Sequence, residues 1–408
     1  MRTVHERCCG LDVHKKTVVA CVMTSAGQET RTFGTMTHEL LELKSWLEAE
    51  GVTHVAMEST GVYWIPLHNL LEDGPFELLV VNARHVKAVP GRKTDVKDAE
   101  WLADLLRHGL LRASFVPSRA QRELRELVRY RRTLIQERAR LVTRVQKVLE
   151  GSNIKLGSVA SNVMGLSGRA MLKELAAGNT DAAAMAKLAL SNLRSKRSEL
   201  EQSLAGSVGP HQRFLLRSQV ELIEVIERQL EEIDKEVEER MRPFEAALDL
   251  IDEIPGIARH GAEQILAEIG IDMGRFPTAN HFASWARVCP GTNESAGKRR
   301  RASTGDGNPW LRSALVEAAL GAVRAGRAHP NFFAARYRRL AARRGAKRAQ
   351  MALAHSMLVA IYHMLSEGAH FVDLGPSHWD ERHRESVAQR SLRRLEELGY
   401  KVTIEAVA

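Results

Sequence analysis

The feature that most constrains the fold is the alternation of short β-rich runs and helical stripes over the first 110 or so residues. Two β-rich runs, Cys8–Val13 and residues 17–23, are separated by a short polar segment and predict a hairpin. Residues 29–35 predict a third strand. Residues 52–57 and 76–81 are apolar runs that each follow a helical stripe, so we expect buried parallel strands. The order βββαβαβα matches an α/β, RNase H-like sheet.

Carboxylates fall at the ends of these predicted elements. Asp12 closes the first strand and Glu58 follows the fourth, while Asp95 and Asp98 lie three apart on a helix that runs to Gly109. Taken singly, each helical Asp is explained as well by capping or by the helix dipole. Mg²⁺ or Mn²⁺ prefers oxygen ligands, and a pair of such ions stabilises both oxygens of an in-line displacement at phosphorus. Four acids in this order therefore predict a divalent-metal site that cuts a phosphodiester.

The charge of the chain favours a nucleic-acid partner. It carries 59 Lys+Arg against 50 Asp+Glu, a formal net charge of +9. Between residues 298 and 348 there are 14 basic and two acidic residues, and residues 119–147 form a second basic cluster. Such clusters are typical of surfaces that bind phosphate backbones, although either one alone is explained as a solvated face.

The middle of the chain, residues 113–245, predicts a helical coiled-coil region. Apolar residues from Leu124 to Val148, and again from Val220 to Met241, recur at close to 3.5-residue spacing. The two seams can fold back on one another or pair between chains, and we favour a dimer contact. A separate basic stripe on the first helix suits phosphate contact or an exposed solubilising face equally: Arg122, Arg125, Arg129 and Arg132.

The C-terminal part contains two motifs of interest. Pro255-Gly256, between two helical patterns, is similar to a helix-hairpin-helix turn, whose amides can hold a phosphate at the next helix N-terminus. Further on, Ser295 lies in a Gly-containing loop followed by the cations Lys298, Arg299, Arg300 and Arg301. From local sequence alone Ser295 is no better a nucleophile than Ser303 or Thr304, and a loop-capping serine is the ordinary explanation.

Other classes of protein are disfavoured. The four cysteines show no CxxC spacing, so neither a zinc site nor a disulfide framework is implied. No apolar run approaches membrane-spanning length and no signal peptide precedes the first strand. We therefore expect a reduced, cytoplasmic protein, associated with the bacterial nucleoid and without a membrane partner.

Several of these motifs together resemble the insertion-sequence-110 family of transposases. The resemblance rests on residues 10–15 (GLDVHK), 57–64 (MESTGVYW), 93–99 (KTDVKDA), 254–257 (IPGI), 290–298 (PGTNESAGK) and 307–312 (GNPWLR), and it extends over nearly the whole chain. It implies a RuvC-like DEDD domain with Asp12, Glu58, Asp95 and Asp98 as its acids, and a C-terminal domain with Ser295 as covalent nucleophile. The serine loop reads Ser-Ala-Gly-Lys where many relatives would show Ser-Gly-Gly-Lys. The resemblance also implies a recombinase guided by a structured noncoding RNA of its own element.

The sequence therefore predicts a DNA transposase or site-specific recombinase in three parts and a tail. These are a RuvC-like catalytic domain (1–112), the coiled-coil or dimerisation region (113–245), a mainly α serine domain (246–370) and a charged tail (371–408). The expected partners are DNA at the element ends and target, the RNA, which Arg312 and the other cations would help bind, and further copies in a dimer or dimer of dimers. One alternative is a RuvC-like structure-selective nuclease with a merely structural Ser295. Another is a non-catalytic basic nucleic-acid-binding protein.

Overall fold

The structure is a computed structural model that describes residues 2–59, 61–82, 86, 98–290, 294–295, 298–299, 304 and 307–402. The chain forms two compact units, Met1–Arg119 and Ala120–Ala408. The first unit ends seven residues beyond the predicted boundary at 112. The predicted division of the rest into a coiled-coil region, a serine domain and a tail stays a prediction.

The first unit is built on a five-stranded sheet of order β3-β2-β1-β4-β5. Its strands are β1 (Cys8–Val13), β2 (Thr17–Thr24), β3 (Gly27–Gly34), β4 (His54–Glu58) and β5 (Glu77–Val81). β1 pairs with β2 and β2 with β3 antiparallel, whereas β1, β4 and β5 run parallel. The helices are α1 (Thr37–Ala49), α2 (Trp64–Leu71) and α3 (Asp98–Arg107). This mixed sheet is consistent with the predicted RNase H-like domain, and all five predicted strands are present.

The two faces of the sheet are covered by different helices. Leu11 and Met57 belong to a core that also contains the apolar residues of α1 and α2. Cys8 and Ala56, on the opposite face, belong to a core formed with α3. Side chains alternate along a strand, which is why each strand feeds both cores.

The second unit begins with a 33-residue helix, α4 (Arg119–Gly151), which packs against another long helix, α9 (Pro210–Met241). Arg240 contacts Glu123 at one end of the pair and Arg138 contacts Glu227 further along, so the two helices run antiparallel. Of the two arrangements that the seams allow, the fold-back within one chain is therefore observed. Coiled-coil packing and a dimer contact stay predictions.

Short helices connect α4 to α9. They are α5 (Leu156–Val159), α6 (Leu166–Ala177), α7 (Ala182–Ala186) and α8 (Arg197–Leu204), with a 3₁₀ turn at Ser191–Lys196. Together with Leu141–Leu149 of α4 and Leu216–Ile223 of α9 they enclose one apolar core. The weak periodicity of this segment predicts such short elements, and the structure confirms them.

The remaining helices are mostly short and surround a larger core. They are α10 (Glu245–Asp252), α11 (Arg259–Ile269), α12 (Ala279–Trp285), α13 (Pro309–Ala325), α14 (Phe332–Arg344), α15 (Ala346–Glu367), α16 (His378–Arg382) and α17 (Arg384–Glu397). Leu124, Val128, Val237 and Met241, from the ends of the long helices, join this core. The core thus crosses the predicted boundary at 245/246.

The predicted Pro-Gly turn lies between α10 and α11. Gly256 adopts φ +90°, and a Cβ there would lie 2.2 Å from the backbone N of Ala322 in α13. The amide of Ile257 donates to the carbonyl of Ile254. Glycine is therefore needed here for contact with a neighbouring helix, which is a sufficient reason for the motif; a bound phosphate stays a prediction.

Candidate active site

Two of the predicted acids lie at matching positions on neighbouring parallel strands. Leu11 of β1 is in register with Met57 of β4, and Asp12 and Glu58 are the residues that follow them. Leu11 and Met57 face the α1–α2 core, so alternation directs Asp12 and Glu58 to the face covered by α3. Both carboxylates therefore lie at the carboxyl ends of their strands, on one face of the sheet.

Gly10 determines how closely the third acid approaches this edge. A Cβ on Gly10 would lie 2.3 Å from the carbonyl oxygen of Ala99 and 2.4 Å from the amide nitrogen of Ala103. The backbone of α3 therefore crosses β1 directly at Gly10, two residues before Asp12. Asp98, the first residue of α3, is exposed beside this crossing.

The donor chemistry of this edge suits a hard cation. Asp12 is partly exposed, and its Oδ2 lies 3.0 Å from Nε2 of His14. Asp95 lies outside the described residues. Within the described ranges, no group of three or more His, Cys, Asp and Glu residues is close enough to hold a metal ion. What the structure gives is thus a shared face and an oxygen-donor set that fit Mg²⁺ or Mn²⁺.

Ser295 belongs to a small hairpin in the second unit. Its strands are β6 (Glu294–Ser295) and β7 (Lys298–Arg299), and Ser295 is opposite Lys298 in the antiparallel register. Arg300 and Arg301 lie outside the described residues. The predicted serine and the first two cations after it are therefore neighbours on paired backbone segments.

The two ends of the serine loop meet. A Cβ on Gly307 would lie 2.5 Å from Cβ of Arg287, the residue that follows α12 closely. Asn308 then caps α13, because its Oδ1 accepts from the amides of Trp310 and Leu311 at 3.0 and 3.1 Å. The loop thus leaves and re-enters the helical core at nearly the same place.

A buried carboxylate holds the C-terminal end of this loop. Oε2 of Glu268, a residue 3% exposed, accepts from Nδ2 of Asn308 at 2.5 Å. The same carboxylate receives both Nε and Nη2 of Arg129, at 2.7 and 2.8 Å. Arg125 lies 3.2 Å from it and also donates to the backbone carbonyl of Glu268. Burial lowers the pKa of Arg125, which the charge of Glu268 opposes.

These contacts change the interpretation of the basic stripe on α4. Arg125 and Arg129 bind Glu268, and Arg132 contacts Gln264, Ser313 and Glu317. Arg129 also lies 5.7 Å from the ring centroid of Trp310. Three of the four guanidiniums are thus engaged with α11 and α13, and Arg122 also has a contact within the chain. The stripe is neither a bare phosphate surface nor a merely solvated face, and its part in nucleic-acid binding stays a prediction.

Sequence reasoning did not identify His14, Glu268 or Asn308. His14 follows Asp12 at the two-residue spacing of a strand, and this spacing was an available signal. Glu268 is one acid among many on an amphipathic helix, and only the fold shows that it meets Arg129 and Asn308. Arg312 has a contact within the chain.

The four cysteines are free thiols. Burial raises the pKa of Cys8 to about 11, and burial likewise raises the pKa of Cys9 and Cys21. These three thiols therefore stay protonated and unreactive at neutral pH. No helix in the described part of the chain is long and apolar enough to span a membrane.

Comparison with known protein families matches both ends of the chain. Residues 9–154 match a family model for DEDD transposases of the IS110 type, described as "Transposase". Residues 248–338 match the "Transposase IS116/IS110/IS902 family". No curated protein matches the chain. The first match contains Asp12, Glu58, Asp95 and Asp98, and the second contains Ser295. The chain therefore belongs to the IS110 family of insertion-sequence transposases and is a DNA transposase or recombinase.

Proposed function

We propose that this transposase cuts and rejoins DNA with the carboxylates of Asp12, Glu58, Asp95 and Asp98 and the hydroxyl of Ser295. The observation that carries the proposal is the placement of Asp12 and Glu58 one residue beyond the Leu11–Met57 pair. Both point to the face where α3, beginning at Asp98, crosses β1 at Gly10. Three acids distant in sequence thus converge on one edge of the sheet.

The four carboxylates are the residues that would hold Mg²⁺ or Mn²⁺. When bound, such an ion neutralises phosphate charge and stabilises the oxygens of an in-line displacement. The protein's own contribution is to keep like charges together at an exposed edge, where carboxylates so close favour a cation or a proton. Gly10 allows this by bringing the α3 backbone against β1.

Ser295 supplies the nucleophile in this proposal. Its Oγ forms a bond to a DNA phosphorus, and the bond from that phosphorus to one deoxyribose oxygen breaks. The serine proton is lost, and the released sugar oxygen gains a proton, so the number of phosphodiester bonds is conserved. The reverse step, with the hydroxyl of another strand, rejoins DNA without an external energy source. A serine hydroxyl needs activation at neutral pH, and its own loop supplies only Glu294 and Lys298 as nearby titratable groups.

A trapped protein–DNA adduct tests the serine step. The parent protein with its element-end DNA should give a denaturation-resistant adduct, and Ser295→Ala should give none. Ser303→Ala, eight residues along the same loop, is the matched control and should retain the adduct. The measurement is a gel shift under denaturing conditions, followed by mass spectrometry of the modified peptide.

The outcome separates two kinds of enzyme. If the parent cleaves DNA in a metal-dependent way but forms no adduct, and Ser295→Ala cleaves equally well, the chain is a hydrolytic RuvC-like nuclease. An adduct that persists in Ser295→Ala would place the covalent chemistry on another residue.

We infer that a structured noncoding RNA is a second partner, as the family resemblance implies and the two basic clusters support. RNA should co-purify with the protein. Removing it with ribonuclease should abolish sequence-selective DNA binding while leaving weak, salt-sensitive binding, since that binding depends on phosphate contacts alone. Selective binding by RNA-free protein would contradict the inference.

A further inference from the structure

The charged tail encloses a cavity to which no role has so far been given. The cavity has a volume of about 580 Å³ and lies between α14 and the tail helices α16 and α17. Its lining contains three arginines and a single acid: Arg339, Asp380, Arg390, Ser391, Arg394 and Leu395. This volume falls in the range of ordinary ligand sites. We refer to it as the tail cavity.

Trp379 fastens one wall of the tail cavity to α14. Its ring stacks on Phe332, with centroids 5.8 Å apart, and on His383 at 6.5 Å. The guanidinium carbons of Arg336 and Arg339 lie 5.0 and 5.5 Å from its centroid. Aromatic stacking and cation–π contact therefore hold two arginines of α14 beside the cavity.

These two arginines carry charge that the surrounding protein does not balance. Nε of Arg336 is buried and has no hydrogen-bond partner among the described residues. Burial and the neighbouring charge of Arg339 lower the pKa of Arg336. A nearby anion would relieve both effects, because burying an uncompensated cation is costly.

The arginines of α17 have donors to spare. Arg390 donates its Nε to the carbonyl of Ser386, and Nη1 of Arg394 lies at a marginal 3.5 Å from Oε2 of Glu397. In the described part of the chain these are the hydrogen bonds of the two side chains. Their remaining N–H groups, with those of Arg339, are available to a ligand in the cavity.

We propose that the tail cavity binds phosphate groups of a nucleic-acid strand. Guanidinium forks match phosphate oxygens in geometry and charge, and three forks around one cavity suit successive phosphates of a strand. α14 strengthens the case, because its sequence, FFAARYRRLAARR, contains five arginines and no acid. The tail cavity uses neither Ser295 nor the predicted metal acids, so the site is independent of the proposed catalytic chemistry.

Matched pairs of substitutions in one helix test the site. Arg390→Gln with Arg394→Gln removes two charges from the cavity, whereas Arg384→Gln with Arg393→Gln removes two from α17 outside its lining. All four side chains are exposed, so folding should be preserved. Affinity for labelled U20 RNA and dT20 DNA is measured against KCl concentration, in EDTA to prevent cleavage.

The cavity pair should lower the slope of log affinity against log salt by about 1.4, at about 0.7 per single-strand phosphate contact. The control pair should leave the slope unchanged, and so should Asp12→Asn and Ser295→Ala, which separates this site from the catalytic proposal. A larger loss with one probe identifies RNA or DNA as the source of the phosphates. Equal losses from both pairs, or none from either, would overturn the proposal.

Discussion

At the scale of single residues, the sheet edge depends on one missing side chain. Gly10 lets α3 approach β1 until backbone meets backbone, and any larger residue would displace the helix that begins with Asp98. The same small motif therefore provides both a carboxylate, Asp12, and the space that brings another one near. A sequence pattern alone indicates the acid but not the reason for the glycine two residues earlier.

Amide substitutions test the metal role of these acids. Asp12→Asn, Glu58→Gln, Asp95→Asn and Asp98→Asn each remove a charge at nearly constant volume, so the fold should persist while strand cleavage falls to background. Chelator should do the same to the parent protein. DNA binding should remain, because the basic clusters are intact. Full recombination in excess chelator, or by two or more of these variants, would contradict the metal site.

At the scale of elements, prediction succeeded where contacts are local. Hydrophobic alternation placed all five strands to within two or three residues, since each strand's pattern reflects its own two faces. It failed for the arginine stripe of α4, because the partners of Arg129 and Arg132 lie more than 130 residues away, on α11 and α13. The serine hairpin was described only as a loop, because its strands are two residues long.

A buried ion pair between α4 and α11 carries a pH dependence. Arg131 is 1% exposed and Glu263 is 4% exposed, and the two are joined at 2.7 Å. Burial alone would raise the pKa of Glu263, but Arg131 and His260 lower it below its ordinary value. The charged carboxylate thus stabilises the fold at pH above its ordinary pKa, and this stabilisation is lost as the pH falls through the lowered value.

Replacing Glu263 should expose this contribution. At neutral pH, Glu263→Leu should cost about 3–5 kcal/mol in the free energy of unfolding, because it leaves Arg131 buried without its main partner. The double variant Arg131→Met with Glu263→Leu should recover most of the loss. Urea denaturation from pH 7 to pH 3 is the measurement. The difference between parent and single variant should shrink at acid pH, and a constant difference would disprove the electrostatic origin.

At the scale of the whole molecule, the acids and the serine belong to two separate compact units. We expect the acids of one subunit to act with the serine of another, so that oligomerisation is a condition of activity. Mixing Asp12→Asn protein with Ser295→Ala protein should then restore partial recombination, since each variant supplies the group that the other lacks. The control is each variant alone at the same total concentration. No recovery on mixing would mean that each chain builds its own site.

The meeting of Arg287 with Gly307 gives the serine segment the character of a cassette. A segment whose ends are already joined changes length at little cost, about 0.6 kcal/mol for each doubling. Residues within it are then free to diverge, lengthen or be exchanged while α12 and α13 keep their packing. The scaffold and the reactive segment can therefore evolve at different rates, and grafting a foreign segment between residues 287 and 307 offers a direct way to alter the chemistry of the protein without redesigning its fold.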